Sequence, residues 1–195
     1  MKSDQKIVAN RRTIIRSAGM AAAGLGLAGV AGTAGAATGK KHAASHGGSD
    51  LGILQAALAL EHEGIGAYRI AGGSGLLSKG TLDVALVFLG HHQSHRDALA
   101  KLILQAGGKP VDTKSDAEYI QALNLGALKS EADVVKLAAG MEMGAANAYV
   151  GQIAAIKDPM LAKLFAQLGS DEAVHWALLN SAMGGSVPKT AFLFG

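Results

Sequence analysis

Apolar side chains recur from residue 161 to 179 in steps of 4, 3, 4, 3 and 4, through Leu161, Phe165, Leu168 and finally Leu179. Glu172 and His175 fill the two places between Leu168 and Leu179 where the period calls for further apolar groups. Such spacing marks the inward stripe of a bundle helix. Residues 88–99 repeat it, with Phe88, His92, His95 and Leu99 standing where Leu168, Glu172, His175 and Leu179 stand later. Two further stripes carry one glutamate each: Leu54, Leu58, Glu61, Ile65 and Tyr68, and then Val135, Ala138, Glu142, Tyr149, Ile153 and Ile156. In both, a tyrosine follows the glutamate by seven residues. Glu142 lies 81 residues after Glu61 and Glu172 lies 80 after His92, so a helix pair is duplicated along the chain.

Turn and cap residues divide the stripes into four helices. The first opens with Ser49 or Asp50 as N-cap and stops at Gly72-Gly73; the second covers about residues 80–106 and is closed by Gly107-Gly108 and Pro110. The short Gly/Ser loop between them makes the two antiparallel neighbours. Residues 107–129 are largely aperiodic, apart from a short helix expected over Asp116 to Leu123 behind Ser115. That is enough chain to return along a bundle of roughly 38 Å, about 25 residues at 1.5 Å each. The third helix starts at Ser130-Glu131-Ala132-Asp133 and runs to about Lys157; Asp158-Pro159 caps and opens the fourth, which ends at Gly184-Gly185. The predicted fold class is all-α, a four-helix bundle over residues 51–184 made of two antiparallel hairpins joined by one long crossover.

Charge changes the picture at the N-terminus. Residues 1–16 hold Lys2, Lys6, Arg11, Arg12 and Arg16 against Asp4 alone, an uncharged Ala/Gly-rich run follows from Ser17 to Thr33, and Ala34-Gly35-Ala36 is a small-x-small cleavage site. This order describes an export signal over residues 1–36. Asn10-Arg11-Arg12-Thr13-Ile14-Ile15-Arg16 resembles a twin-arginine motif. An ordinary secretory signal and an uncleaved anchor are the alternatives, although the glycine content makes a poor spanning helix. The whole chain carries a formal charge of +3, with 18 basic and 15 acidic side chains. Removal of residues 1–36 takes away five basic groups and one acidic group, leaving 13 against 14 and a net charge of −1. Nucleic acid is therefore not an expected partner, and no stable membrane anchor remains once the signal is cut. Residues 37–50 read as a polar flexible linker, in which His42 and His46 are expected to be solvated.

The inward Glu and His residues pose an energetic problem. Each ionisable group on a buried stripe would cost several kcal/mol if left without a partner, and a metal ion is the economical compensation. The chain has no cysteine, so any ion must be held by oxygen and nitrogen. Glu61 lies on the inward stripe, whereas Glu63 falls about 200° round the helix and points outward. His62 is read as a surface or supporting residue. Asp97 and Asp171 are read as surface or capping groups, with a supporting role in orienting His95 and His175 as the alternative.

One glutamate from each of two helices, with a Glu-x-x-His pair from each of the other two, is the ligand pattern of ferritin-like di-iron and di-manganese bundles. Residues 51–184 resemble that superfamily, and in particular its exported bacterial ferritin-like proteins. The resemblance implies metal ligands at Glu61, Glu142, Glu172, His175 and His95, matched position by position. His92 stands where the family has a glutamate. It is carried as the sixth ligand because it shares the stripe position of Glu172, while His91 and His95 at i, i+4 form an alternative pair on a slightly rotated helix. Tyr68, Tyr149 and His91 are expected behind the ligands. Three carboxylates and three imidazoles in place of four and two weaken the hold on a ferric pair and open the site to zinc or copper.

The implied function is an exported, periplasmic or cell-envelope metalloprotein with a dinuclear iron or manganese site that handles O2 or peroxide under oxidative or metal stress. As an enzyme it would be a ferroxidase or a peroxide-consuming oxidoreductase. The alternative is a non-catalytic ferritin-like protein for stress or desiccation protection, with a degenerate or metal-free site. Bulk iron storage is disfavoured, because only Ser186 to Gly195 follow the bundle. Residues 185–195 are an apolar tail, through Ala191-Phe192-Leu193-Phe194, expected to pack on the bundle or on a partner subunit such as the second copy of a homodimer.

Overall fold

The computed structural model describes residues 47–195. The expected signal, most of the linker, His42 and His46 lie outside the described residues. Among the described residues there are five α-helices and no strand: α1 (Gly47–Gly72), α2 (Lys79–Gln105), α3 (Asp116–Ala122), α4 (Glu131–Gln152) and α5 (Pro159–Ala182), with 3-10 turns at Leu125–Ala127 and Ile153–Ala155. None of these helices is long and apolar enough to cross a membrane.

α1 packs on α2 and α4 on α5, giving the two predicted hairpins, and α1 also touches α4. Contacts between the hairpins fix their directions. Tyr68 of α1 meets Glu142 of α4 and Glu61 of α1 meets Tyr149 of α4, so these helices are antiparallel. Between α2 and α5, His91 meets His175 and His95 meets Asp171, which is again antiparallel. The core has two apolar clusters. One contains Leu54, Leu58, Leu99, Ile103, Tyr149, Phe165 and Leu168; the other contains Tyr68, Phe88, Val135, Ala139 and Leu179.

Cap chemistry sets most of the boundaries. The Ser78 and Ser130 side chains accept from the Thr81 and Asp133 amides, and Ser115 and Glu118 form a full capping box on α3. Asp158 caps α5 with Pro159 at its first position. Two boundaries differ from expectation. α4 ends at Gln152, not near Lys157, because the chain tightens into a 3-10 turn at Ile153–Ala155 before the residue preceding Pro159, where α geometry is disfavoured. Asp50 lies inside the first turn of α1, and its buried carboxylate accepts hydrogen bonds from the Lys157 and Asp158 amides. It therefore ties the start of α1 to the turn that opens α5.

The crossover lies along α1 as a strap. Gln55 Nε2 donates to the Lys109 carbonyl at 2.6 Å, His62 Nε2 sits 3.2 Å from the Val111 carbonyl, and Arg69 pairs with Asp116. Tyr119 of α3 inserts its ring against Gly66 and is 2% exposed. The tail folds back in part: Phe194 meets Trp176 edge-on at 5.6 Å and the Gly195 amide donates to Asn147 Oδ1 at 3.0 Å, while Phe192 is fully exposed.

Gly66 is the contact that lets α3 dock, since a Cβ there would lie 2.6 Å from the Tyr119 ring. Gly66→Ala should destabilise the protein by about 1–3 kcal/mol through overpacking. Gly140→Ala, at an open helical site, should stabilise it by about 0.5–1 kcal/mol. Urea denaturation midpoints check both, and an unchanged or raised midpoint for Gly66→Ala would mean that Tyr119 swings aside without cost.

Candidate metal centre

The two apolar clusters are separated by one layer of ionisable side chains. Glu61 from α1, His92 and His95 from α2, Glu142 from α4, and Glu172 and His175 from α5 are all buried, Glu172 completely. Every stripe position singled out as an inward Glu or His is thus brought to the same place. His92 Nδ1 lies 2.8 Å from Glu61 Oε2, and its Nε2 lies 3.3 Å from Glu142 Oε1. His95 Nδ1 is 3.1 Å from Glu172 Oε1, and His175 Nδ1 is 3.2 Å from Glu172 Oε2 and 3.4 Å from Glu142 Oε2. Gly64 makes room for the His92 ring, since a Cβ there would lie 3.2 Å from it.

A second layer orients the first. The Tyr149 hydroxyl donates to Glu61 and the Tyr68 hydroxyl donates to Glu142, so each tyrosine serves the glutamate of the other hairpin. Seven residues along a helix are about 10 Å, too far for a tyrosine to reach the glutamate of its own helix. The histidines have partners on their outer faces. His91 Nδ1 sits 2.9 Å from His175 Nε2, and Asp171 Oδ2 sits 3.2 Å from His95 Nε2. His91 and Asp171 are 80 residues apart and hold equivalent places in the two hairpins. Asp171 is therefore a supporting residue and not only a surface group. Its signal was present in the duplication, because it precedes Glu172 as His91 precedes His92. Asp97, itself exposed, pairs with its neighbour Arg96, as a surface residue does.

The electrostatics follow from burial opposed by pairing. Burial alone would lower the His92 and His95 values, but their carboxylate partners outweigh it and push them up to about 11 and about 10. His175 is raised against burial by Glu142 and Glu172. Burial works to raise Glu61 and Glu142 as well, yet the histidines hold both below the ordinary carboxylate value. Glu172 goes up, with burial the largest cause. Tyr68 and Tyr149 are raised by burial and by the adjacent glutamates, so both stay neutral donors.

The ferritin-like domain family matches residues 49–185, which is more than half of the chain and all of the bundle. The chain belongs to the ferritin-like domain family. A conserved hypothetical protein from Mycobacterium tuberculosis has a crystal structure that superposes with a TM-score of 0.61 at 23% identity, covering 76% of this chain and 99% of that one. At that identity the likeness shows the ferritin-like fold alone. No curated protein sequence matches the chain.

The donor set of this ferritin-like chain suits metal. Glu61, His92, His95 and Glu172 present ligand atoms within 4.8 Å of one another, and so do His92, Glu142, Glu172 and His175. The two groups share His92 and Glu172, and oxygen mixed with imidazole nitrogen fits iron, manganese, zinc or copper. A cavity of about 240 Å³ between α1 and α4 reaches Glu61, His92 and Glu142 past Gly64, Gly140 and Gly144.

Without metal, protons balance the layer. Because His92 and His95 are raised above the ordinary 6.5, their stabilising contribution is full below about pH 6.5 and is lost as pH rises toward 10 or 11. The depressed Glu61 and Glu142 contribute above their ordinary 4.5 and lose that contribution as pH falls through the lower folded values. The thermal midpoint of chelator-treated protein should peak between about pH 4.5 and 6.5, and His92→Gln should flatten its alkaline decline; identical profiles for the two proteins would count against the paired imidazolium. In metal titrations, His92→Ala should reduce affinity far more than His91→Ala, because His92 lies inside the layer and His91 behind it. The reverse ranking would refute that register.

Proposed function

We propose that this protein is an exported ferritin-like metalloprotein whose buried layer holds a pair of iron or manganese ions and handles O2 or peroxide. The observation that carries the reading is the overlap of two four-residue ligand groups at Glu172 and His92. Glu61, His95, Glu142 and His175 would complete the two halves. When bound, the metal would supply the redox electrons and the Lewis acidity of the reaction.

The chain's own residues do the rest. Glu172 faces both His95 and His175 and ties the two halves together. Tyr68 and Tyr149, kept neutral, fix the opposite glutamates by donating to them. Asp171 and His91 hold the outer nitrogens of His95 and His175, so that both rings turn Nδ1 inward. The apolar cluster around Leu99 and Phe165 on one side, and the Phe88 and Tyr68 rings on the other, shield the layer from water. The glycine-lined passage between α1 and α4 gives small ions and oxidants a way in. The twin-arginine reading of residues 1–36 supports export to the periplasm or envelope of a protein already folded around its cofactor, and a role in oxidative or metal stress follows from that place and chemistry.

One observation favours a second reading. His92 has a carboxylate on each ring nitrogen, and the only buried side-chain polar atom without a partner among the described residues is Gln152 Oε1. The layer can therefore balance itself with protons, as a non-catalytic protective protein would need.

Fe(II) added to the metal-free protein should oxidise faster than in buffer, and Glu172→Ala should abolish the acceleration; equal rates for the two proteins would end the oxidant-handling reading. A strong chelator should lower the thermal midpoint of protein isolated from its exporting cell, since a ligand bound only to the folded state stabilises it. An unchanged midpoint would favour the protective role.

A further inference from the structure

On the Ser78 and Glu131 side of the polar layer, the four long helices line an apolar cavity of about 660 Å³ that opens to solvent. Its cause is legible residue by residue. Ala67 and Ala71 of α1, Ala85 of α2, Ala138 of α4 and Ala182 of α5 face it, so small side chains meet from every helix where a filled bundle would carry larger ones. Protein interiors are packed like organic crystals and keep few voids larger than a water molecule. Sites for small molecules run to about 300–1,000 Å³ and are mostly apolar.

The cavity abuts the polar layer through a single course of rings. Phe88 stacks on His175 at 4.1 Å, and Tyr68 donates to Glu142. On α2 the lining runs from Phe88 to Gly80, about 12 Å along the axis at 1.5 Å per residue. An apolar lining of that length, closed at one end by rings, suits a short aliphatic chain. Val84, Leu178 and Met183 line the cavity and are also about half exposed, which places its mouth between α2 and α5.

The charge of the lining selects among such molecules. The Tyr68 hydroxyl is committed to Glu142. At the far end Glu131 accepts from the Ser78 amide at 2.7 Å, from the Ser78 hydroxyl and from the Thr81 hydroxyl. Among the described residues no cationic side chain lines the cavity, and the one charged residue, Glu131, is negative. An anionic head group would find no partner there and would meet Glu131 as a like charge.

The geometry points to this cavity as a binding site for a neutral aliphatic chain, held with one end against Phe88 and Tyr68 beside the buried Glu/His layer. Binding there does not depend on metal, so the site stands whether or not the oxidant-handling reading holds.

The test is calorimetric titration of the full-length protein with 1-octanol and with octanoate, with metal and after chelation. The expected result is saturable binding of one octanol per chain, with octanoate weaker by about tenfold or more, since a like-charge contact costs more than the 1.4 kcal/mol of a factor of ten. Ala138→Phe fills the cavity from α4 and should abolish octanol binding. Ala71→Leu and Ala182→Leu are smaller fillings that read the same property should Ala138→Phe lose its helical circular dichroism. Absence of saturable binding to the folded protein would overturn the proposal, as would undiminished binding in a folded filled variant. Octanoate bound as tightly as octanol would overturn the assignment to neutral ligands. Failure of Fe(II) oxidation together with intact octanol binding would reject the oxidant-handling reading alone.

Discussion

Everything in this bundle answers to the burial of three carboxylates and three imidazoles in one layer between two apolar clusters. No single helix can carry such groups inward, because each would be a lone charge in a low dielectric at a cost of several kcal/mol. Brought together they neutralise one another, and the geometry of that neutralisation dictates the topology. His92 must reach Glu61 and Glu142 at once, so α2 has to face both α1 and α4. Glu172 must meet two histidines, so α5 has to oppose α2. An antiparallel arrangement of two hairpins satisfies all of these contacts, and the long strap along α1 allows it.

Duplication gives the layer its economy. Each hairpin contributes a glutamate and a tyrosine two turns apart, and antiparallel packing makes each tyrosine the donor to the other hairpin's glutamate. His91 and Asp171 repeat the device on the outer side, each behind the histidine of the opposite hairpin. The repeat is therefore more than an ancestry signal. It predicts crosswise pairing, because a residue cannot reach its own partner along a helix but can reach the equivalent partner across a twofold. The departures from symmetry, an imidazole at 91 against a carboxylate at 171 and His92 against Glu172, set the charge balance of the site.

The fold and the six central residues were legible because both rest on period. A stripe at steps of 3 and 4 names the buried face, and a polar residue on it is conspicuous. Cap residues were equally plain, since Ser115, Ser130 and Asp158 act on amides two or three residues away. What escaped acts at a distance. Asp50 looks like a local N-cap but binds amides more than a hundred residues later. Asp171 looks like a surface group until His95 arrives from another helix. The apolar cavity escaped for a different reason: Ala67, Ala71, Ala85, Ala138 and Ala182 count as apolar in any pattern, and period tells which face is buried without telling whether it is filled. Membership of the ferritin-like family bears on the fold and the layer, and says nothing about residues 1–36.

His92 is the residue through which packing and chemistry are joined. Its ring fits because the facing position on α1 is Gly64, where a Cβ would lie 3.2 Å from it. A histidine at this stripe position is therefore accommodated by the backbone around it. Its charge has a consequence for any metal held there. Three carboxylates set against two divalent ions leave one positive charge in the layer, and against two trivalent ions they leave three. In a site buried between apolar clusters that difference is not screened by water, so the layer favours the divalent state. A metal pair held there would on this balance be more stable as manganese(II), zinc(II) or reduced iron than as a ferric pair, and the imidazole at 92 would be the reason.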